Sequence, residues 1–194
     1  MSTLNVTALK HESAGVDNLV LDSSGNTIMP YGSSLAFNSP TNQYISADAN
    51  NLYLGTGNLY RLKVDTAGRV TMPYQPAFSA HNGGANSSGA IVFATTLYNN
   101  GSHYSTSTGR FTAPVTGMYY FNTQHLANPN AFDMSFNKNG TRLLGHAESN
   151  EATYKSVSNA QVIYMNAGDY VYVEVWSGST YGLNYCMFTG HLIG

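Results

Sequence analysis

Three aromatic residues near the C-terminus, Trp176, Tyr181 and Tyr185, bracket the small polar loop 177–182. Rings set among serine, threonine and glycine can stack on a sugar while nearby hydroxyls bond its oxygens. The stretch is therefore a candidate contact for a surface glycan or a protein receptor. The alternative is that the same rings pack against another subunit. Catalytic chemistry finds no comparable pattern. A serine nucleophile on an α/β-hydrolase elbow would need Gly-x-Ser-x-Gly, which is missing. Neither His-x-x-x-His nor Cys-x-x-Cys occurs, so metal-ligand spacing is missing too. His11, His81, His103, His125, His146 and His191 are scattered and suit turns and surfaces rather than ligation. Glu148 and Glu151 read as part of a solvated loop, without the fixed geometry that acid–base catalysis requires. Cys186 lies in the apolar run 185–188 and reads as a buried thiol; as the single cysteine it forms no intrachain disulfide. We expect no enzymatic activity, no catalytic residues, no bound metal and no cofactor.

The elements that hold these residues are short strands. No window of ten or more residues has helical apolar spacing free of glycine and β-branched crowding, whereas short alternating runs between Gly, Asn, Asp and Ser turns are many. The fold class is all-β. Charged residues make up 9% of the 194, far below the roughly 25% of an ordinary soluble domain. With a net charge of −2 there is no basic footprint for nucleic acid. The 15 Tyr and 8 Phe argue against disorder. No apolar run approaches the ~18 residues of a membrane-spanning helix. The start, Met1–Thr7, lacks the basic and apolar regions of a signal peptide, so no secretory leader is expected.

Residues 1–75 read as a β-hairpin-rich stem. Leu19–Tyr31 aligns without gaps to Leu62–Tyr74, with six of thirteen positions identical. Each copy is strand, Asp-x-x-Gly turn, strand, proline. The Asp closes the turn through its side chain, and Pro30 or Pro73 stops the hairpin. A further hairpin is expected around Ala49–Asn50. Lone hairpins are marginal in water. The stem is therefore stabilised by identical chains, by docking on a larger assembly, or by packing on its own C-terminal domain.

In the C-terminal domain, residues 76–194, strands are regularly spaced. Val171, Val173 and Val175 alternate with Tyr170, Tyr172, Glu174 and Trp176. The stretch Gly109–Phe121 is unusual because Met118, Tyr119, Tyr120 and Phe121 put bulky side chains on both faces of one strand. Such a strand needs cover twice, once from the core and once from a second sheet or a neighbouring subunit.

Six blocks resemble, in order, the complement C1q globular-head family: Ala77–Ala80; Asn99 with Tyr104; Thr108–Phe121; Lys138–Gly140; Ala167–Val173; and Phe188–Ile193. The resemblance covers 76–194 and implies a ten-stranded jelly-roll sandwich like that of tumour necrosis factor, assembled as a homotrimer. It implies that Tyr119 and Phe121 face the core. Met118 and Tyr120 then face the trimer axis, with Tyr170 and Tyr172 as further interface candidates. Some relatives bind Ca²⁺ in loops, for which Asp133 and Glu148 would be the candidate ligands here, and a histidine at a threefold axis would be present three times.

The N-terminal part departs from the family, which usually carries collagen-like repeats or a leader. Its start, its Leu21–Asn26 block and the junction 64–78 resemble virion structural proteins of tailed bacteriophages, closest to those of cyanobacterial phages. The combined resemblance implies a virion surface appendage. In it a homotrimeric fibre or spike is held to other virion proteins through residues 1–75, and a C1q-like head meets a host glycan or protein receptor. A capsid fibre or decoration protein without receptor binding, and a secreted C1q/TNF-like ligand or lectin, are the alternatives.

Overall fold

The computed structural model describes residues 8–9, 19–24, 26–29, 34–37, 43–84 and 89–194. The readings made on Met1–Thr7, His11, Gly25, Pro30 and Tyr31 fall outside these residues. Among the described residues every regular element is a strand. The chain divides into two compact units, Met1–Pro73 and Tyr74–Gly194.

In the first unit, β1 (Ala8–Leu9), β2 (Leu19–Leu21) and β3 (Thr27–Ile28) form one small antiparallel sheet. A second sheet runs in chain order through β4 (Ser34–Phe37), β5 (Gln43–Ala47), β6 (Asn51–Thr56), β7 (Leu59–Asp65) and β8 (Val70–Thr71). The repeat seen in the sequence has a shared mechanism. Asp22 Oδ1 accepts from the Ser24 and Asn26 amides at 2.9 and 2.8 Å, while Oδ2 accepts from Asn26 Nδ2. Asp65 Oδ1 accepts from the Ala67 and Arg69 amides at 2.9 and 3.0 Å, while Oδ2 accepts from Arg69 Nε. One carboxylate thus satisfies the turn's free donors in both copies, as an Asx-turn does. Asp48 closes the expected middle hairpin similarly, through the Asn50 amide.

The second sheet is two-faced. On one side Tyr53 stacks on Tyr60 with centroids 3.9 Å apart, and Tyr44 meets Tyr60 edge-on. Tyr53 is buried and its hydroxyl donates to Asp48. On the other side register aligns Leu35, Ile45, Leu54 and Leu62 in one cross-strand row, and Ala47, Leu52, Val64 and Val70 in the next.

The second unit is a sandwich of two antiparallel sheets. One has the order β11 (Phe93–Asn100), β9 (Ala77–Gly83), β19 (Leu183–Leu192), β14 (Gly117–Ala127), β17 (Lys155–Met165). The other has the order β12 (Tyr104–Ser105), β13 (Arg110–Thr112), β18 (Tyr170–Ser177), β15 (Asn130–Lys138), β16 (Thr141–Glu151), with β10 (Gly89–Ala90) also on β18. Neighbouring strands are mostly distant in sequence, the crossover signature of a jelly roll. Among the described residues this unit has eleven strands, two of which, β10 and β12, are two-residue pieces. Glu148 and Glu151 are not in a loop as expected. They lie in β16, which pairs with β15 as far as Asn130↔Glu151.

The inner faces meet over an aromatic core. Phe78 stacks on Tyr104 and Phe111 at 4.8 and 5.1 Å and meets Phe188 edge-on at 4.8 Å. Tyr119, Phe121, Phe136, Met134 and Met165 are fully buried with them. Gly190 is required here, because a Cβ would collide with the Phe121 and Phe78 rings. Cys186 is buried as expected, and burial pushes its thiol pKa up.

His125 departs from the surface reading. It is fully buried beside Phe93, and burial lowers its pKa to about 3. Thr123 Oγ1 donates to the Met187 carbonyl at 2.8 Å, so it accepts from His125 Nε2–H at 2.7 Å; Nδ1 has no partner. The folded state thus keeps this imidazole neutral, while the unfolded chain protonates it below about pH 6.5. Its contribution to stability should fall by about 1.4 kcal/mol per pH unit between roughly pH 6.5 and 3 and stay flat above. Thermal unfolding of the wild type and His125→Gln at pH 7.5, 6.5 and 5.5 checks this. The gap between them should narrow at pH 5.5, whereas a constant gap would contradict the buried neutral ring.

Candidate functional site

Alternation along β14 decides what the second unit presents to its surroundings. Tyr119, Phe121, Thr123 and His125 point inward and are fully buried, so Met118, Tyr120, Asn122, Gln124 and Leu126 point outward. Register extends this outward face across the sheet. Met118 lies opposite Tyr164 of β17, and Tyr120 sits between Val162 of β17 and His191 of β19. Val162 and Tyr164 are more than half exposed, at 52% and 55%, and Met118 is 39% exposed. The Tyr120 and His191 rings lie 5.5 Å apart. Further along, Leu97, Leu126, Tyr185 and Met187 line a groove of about 370 Å³ with His81 and Gln124. The face carries large apolar and aromatic groups with few charges.

Tyr170 and Tyr172 stand on the outward face of the opposite sheet, so the structure does not bring them together with Met118 and Tyr120. Their rings stack at 6.2 Å, and the Arg110 guanidinium lies 4.1 Å over Tyr170. Tyr172 is only 9% exposed. This pair is already covered within one chain.

The three aromatic contact candidates also part. Tyr181 and Tyr185 meet edge-on at 5.1 Å, and Tyr154 meets Tyr181 edge-on at 5.5 Å. All three are about half exposed. Tyr154 escaped the sequence reading because it lies 27 residues before Tyr181 in a polar stretch; only the turn into β17 brings it alongside. Trp176 belongs instead to the opposite sheet. Its Nε1 donates to Ser135 Oγ at 2.9 Å, and the Arg142 guanidinium covers its ring at 4.6 Å.

Arg142 in turn donates from Nη2 to both oxygens of Asp133, at 3.0 and 2.8 Å, and His146 Nδ1 lies 2.8 Å from Asp133 Oδ1. Glu148 is the direct cross-strand partner of Asp133. Like charges opposite one another repel, and Arg142 offsets that repulsion. Asp133 is therefore engaged by side chains of its own sheet. Among the described residues no group of three or more His, Cys, Asp or Glu comes together as a metal site. A polar cleft of about 890 Å³ opens nearby, lined by Asp133, His146, Glu148, Ser149, Glu151 and Lys155.

Two of the sequence blocks meet at a different end. Asp169 Oδ1 accepts from Asn139 Nδ2 at 2.7 Å, and Oδ2 accepts from the Asn166 amide at 2.8 Å and Lys138 Nζ at 3.0 Å. Asn139 Oδ1 takes the Tyr170 amide at 2.9 Å. The Lys138–Gly140 turn and the Ala167–Asp169 turn are thus one hydrogen-bonded unit. The Asn139 contact first, then the Asn166 amide and Lys138, hold the Asp169 carboxyl down at about 2. Asn99 and Tyr104 are linked likewise, through Asn99 Nδ2 to the Tyr104 carbonyl and the Tyr104 amide to Asn99 Oδ1, at 2.8 and 3.1 Å.

A model of the C1q domain matches residues 77–193. Human complement C1q and tumor necrosis factor-related protein 9A is 30% identical over 91 residues, 47% of this chain and 27% of that protein. Mouse complement C1q tumor necrosis factor-related protein 2 is 29% identical over 115 residues, 53% of this chain and 37% of that one. The chain thus spans well under half the length of these curated relatives. Among solved structures, the globular domain of zebrafish complement 1qA protein aligns with a TM-score of 0.52 at 21% identity, covering 62% of this chain and 98% of that one. Murine APRIL at pH 5.0 aligns with a TM-score of 0.53 at 12% identity, covering 61% and 99%. At such identities the likeness is one of fold.

The Asp169 geometry carries a sign. A carboxylate held low contributes stability above its unfolded pKa of about 3.9 and loses it as pH falls toward 2. Asp169→Asn should unfold at a lower temperature than the wild type at pH 7, and the difference should shrink from pH 4 to pH 2. A difference that is the same at both ends would rule out the charged contacts as its source.

Proposed function

Because the chain belongs to the C1q-domain family through residues 77–193, we propose that it is a non-enzymatic structural protein that assembles as a homotrimer and presents its C1q unit for attachment. The observation that carries the assembly is the outward face around Met118, Tyr120, Val162 and Tyr164. Met118, Val162 and Tyr164 there stay 39–55% exposed in one chain. An uncharged aromatic patch of this kind suits an interface, because aromatics bury much area at little rotamer cost. Assembly about this face gives the strand its second cover.

The tyrosines at 154, 181 and 185 form the recognition patch of this reading. Residues 118 and 126 mark the two ends of β14's outward face, about 27 Å apart at the rise of a strand. The tyrosine patch adjoins the Leu126 end, through the Tyr181 amide that donates to the Leu126 carbonyl. One end can therefore be enclosed by assembly while the other stays open to a host glycan or protein receptor. The hairpin stem with its repeated Asp turns, and the resemblance of its sequence to tailed-phage virion proteins, support placement on a virion, with residues 1–75 holding it to other virion proteins. A capsid decoration role would use the same stem without the receptor. A second reading, a C1q/TNF-like ligand acting at a cell surface, is favoured by the names of the curated relatives. Mass spectrometry of purified virus particles against the surrounding medium separates the two placements.

Light scattering of the full chain should give three times its 20.9 kDa mass. Met118→Asp puts a charge where the interface would dehydrate it, and this variant should run at the single-chain mass while keeping its folded circular dichroism. A trimeric Met118→Asp would overturn the interface. For recognition, Tyr181→Ala and Tyr185→Ala should each weaken binding to host cells or a glycan array by about tenfold, or ~1.4 kcal/mol, without changing the mass. Trp176→Ala should leave binding unchanged, since its ring is committed to Arg142 and Ser135. Equal losses from all three would place the patch elsewhere.

A further inference from the structure

The five-stranded sheet of the first unit has one face without a cover. On its reverse face Tyr44 and Tyr53 pack on Tyr60, with Tyr53 buried and Tyr60 47% exposed, and a Cβ at Gly55 would collide with the Tyr44 ring. The opposite face, with Leu35, Ile45, Leu54, Leu52 and Val70, stays exposed, 43% at Leu54 and 57% at Val70. No acidic or basic residue occupies a register position in its two central rows. Arg61, the extra residue of the bulge beside Gly55, bonds Thr56 at the end of the sheet. Tyr53 is the buried hydrophobic residue among the described residues of this unit, so the sheet has a surface but no core of its own.

We propose that this face is a second self-association surface, on which copies of the same sheet pack against one another. The charge pattern selects the partner. A face with no charge across its middle needs an equally uncharged apolar surface, and an identical copy supplies one of matching size. Lys63 and Asp65 lie on the tyrosine side by register and would repel or desolvate there. The inference rests on the C1q unit assembling as proposed above. Assembly holds the sheets at a high effective concentration, so a face too weak to pair in dilute solution associates within one particle. The sheet then gains the core it lacks.

Single cysteines in the full chain test this, since Cys186 is buried. Face-packed sheets lie about 10 Å apart, within reach of a short bis-maleimide. Leu54→Cys and Ile45→Cys should give covalent dimers in high yield within the trimer, and Thr71→Cys, on the tyrosine side, at least tenfold less. A trimeric mass with no cross-link from Leu54→Cys or Ile45→Cys would overturn this proposal alone, whether the cover came from the same copy or from another protein. Equal yields from all three positions would overturn it as well. Cross-links from Leu54→Cys in a protein whose Met118→Asp form still associates would support it while overturning the C1q-face assignment.

Discussion

The packing of Phe78, Phe111, Tyr119, Phe121 and Phe188 between two sheets is the constraint from which the rest of the second unit follows. Side chains alternate along a strand, so once Tyr119 and Phe121 are committed to the core, Met118 and Tyr120 have no choice but to face away. A one-residue slip of β14 would reverse every assignment. The long pairing of β14 with β17, from Gly117↔Met165 to Ala127↔Lys155, leaves no room for that slip. The same alternation buries His125 and leaves Leu126 outward. Core and outward face are one decision.

The two units answer different problems. The second buries its aromatics within one chain and links its turns by side-chain bonds such as Asp169 to Asn139. The first uses Asp22, Asp48 and Asp65 each to cap a hairpin and leaves one apolar sheet face open. Low charge suits both. Uncharged faces can be enclosed without desolvating ions, and a chain with 9% charged residues has few ions to misplace.

Much of this was legible in the residues. Strand periodicity gave the all-β class, the repeat gave the Asp-closed hairpins, and the six blocks gave the sandwich and the inward turn of Tyr119 and Phe121. What was hidden depends on which distant strands meet. Alternation shows that Tyr170, Tyr172 and Trp176 share a face, but not that this face lies across the sandwich from Met118. Spacing cannot bring Tyr154 to Tyr181, nor place Arg142 over Trp176. Glu148 and Glu151 read as loop because their surroundings are polar, yet β15 holds them in the edge strand of the sheet. His125 looked like any scattered histidine, and its burial follows only from its even spacing with Tyr119, Phe121 and Thr123.

The central claim is that the outward face of β14 is covered by other copies of this chain. Oxidative footprinting of Met118 in the assembled protein and after dilution tests it most directly, with exposed Trp176 on the opposite sheet as the internal reference. The account predicts that Met118 is protected at least severalfold when assembled and becomes reactive on dilution, while Trp176 reacts alike in both. Equal reactivity of Met118 in the two states would contradict it.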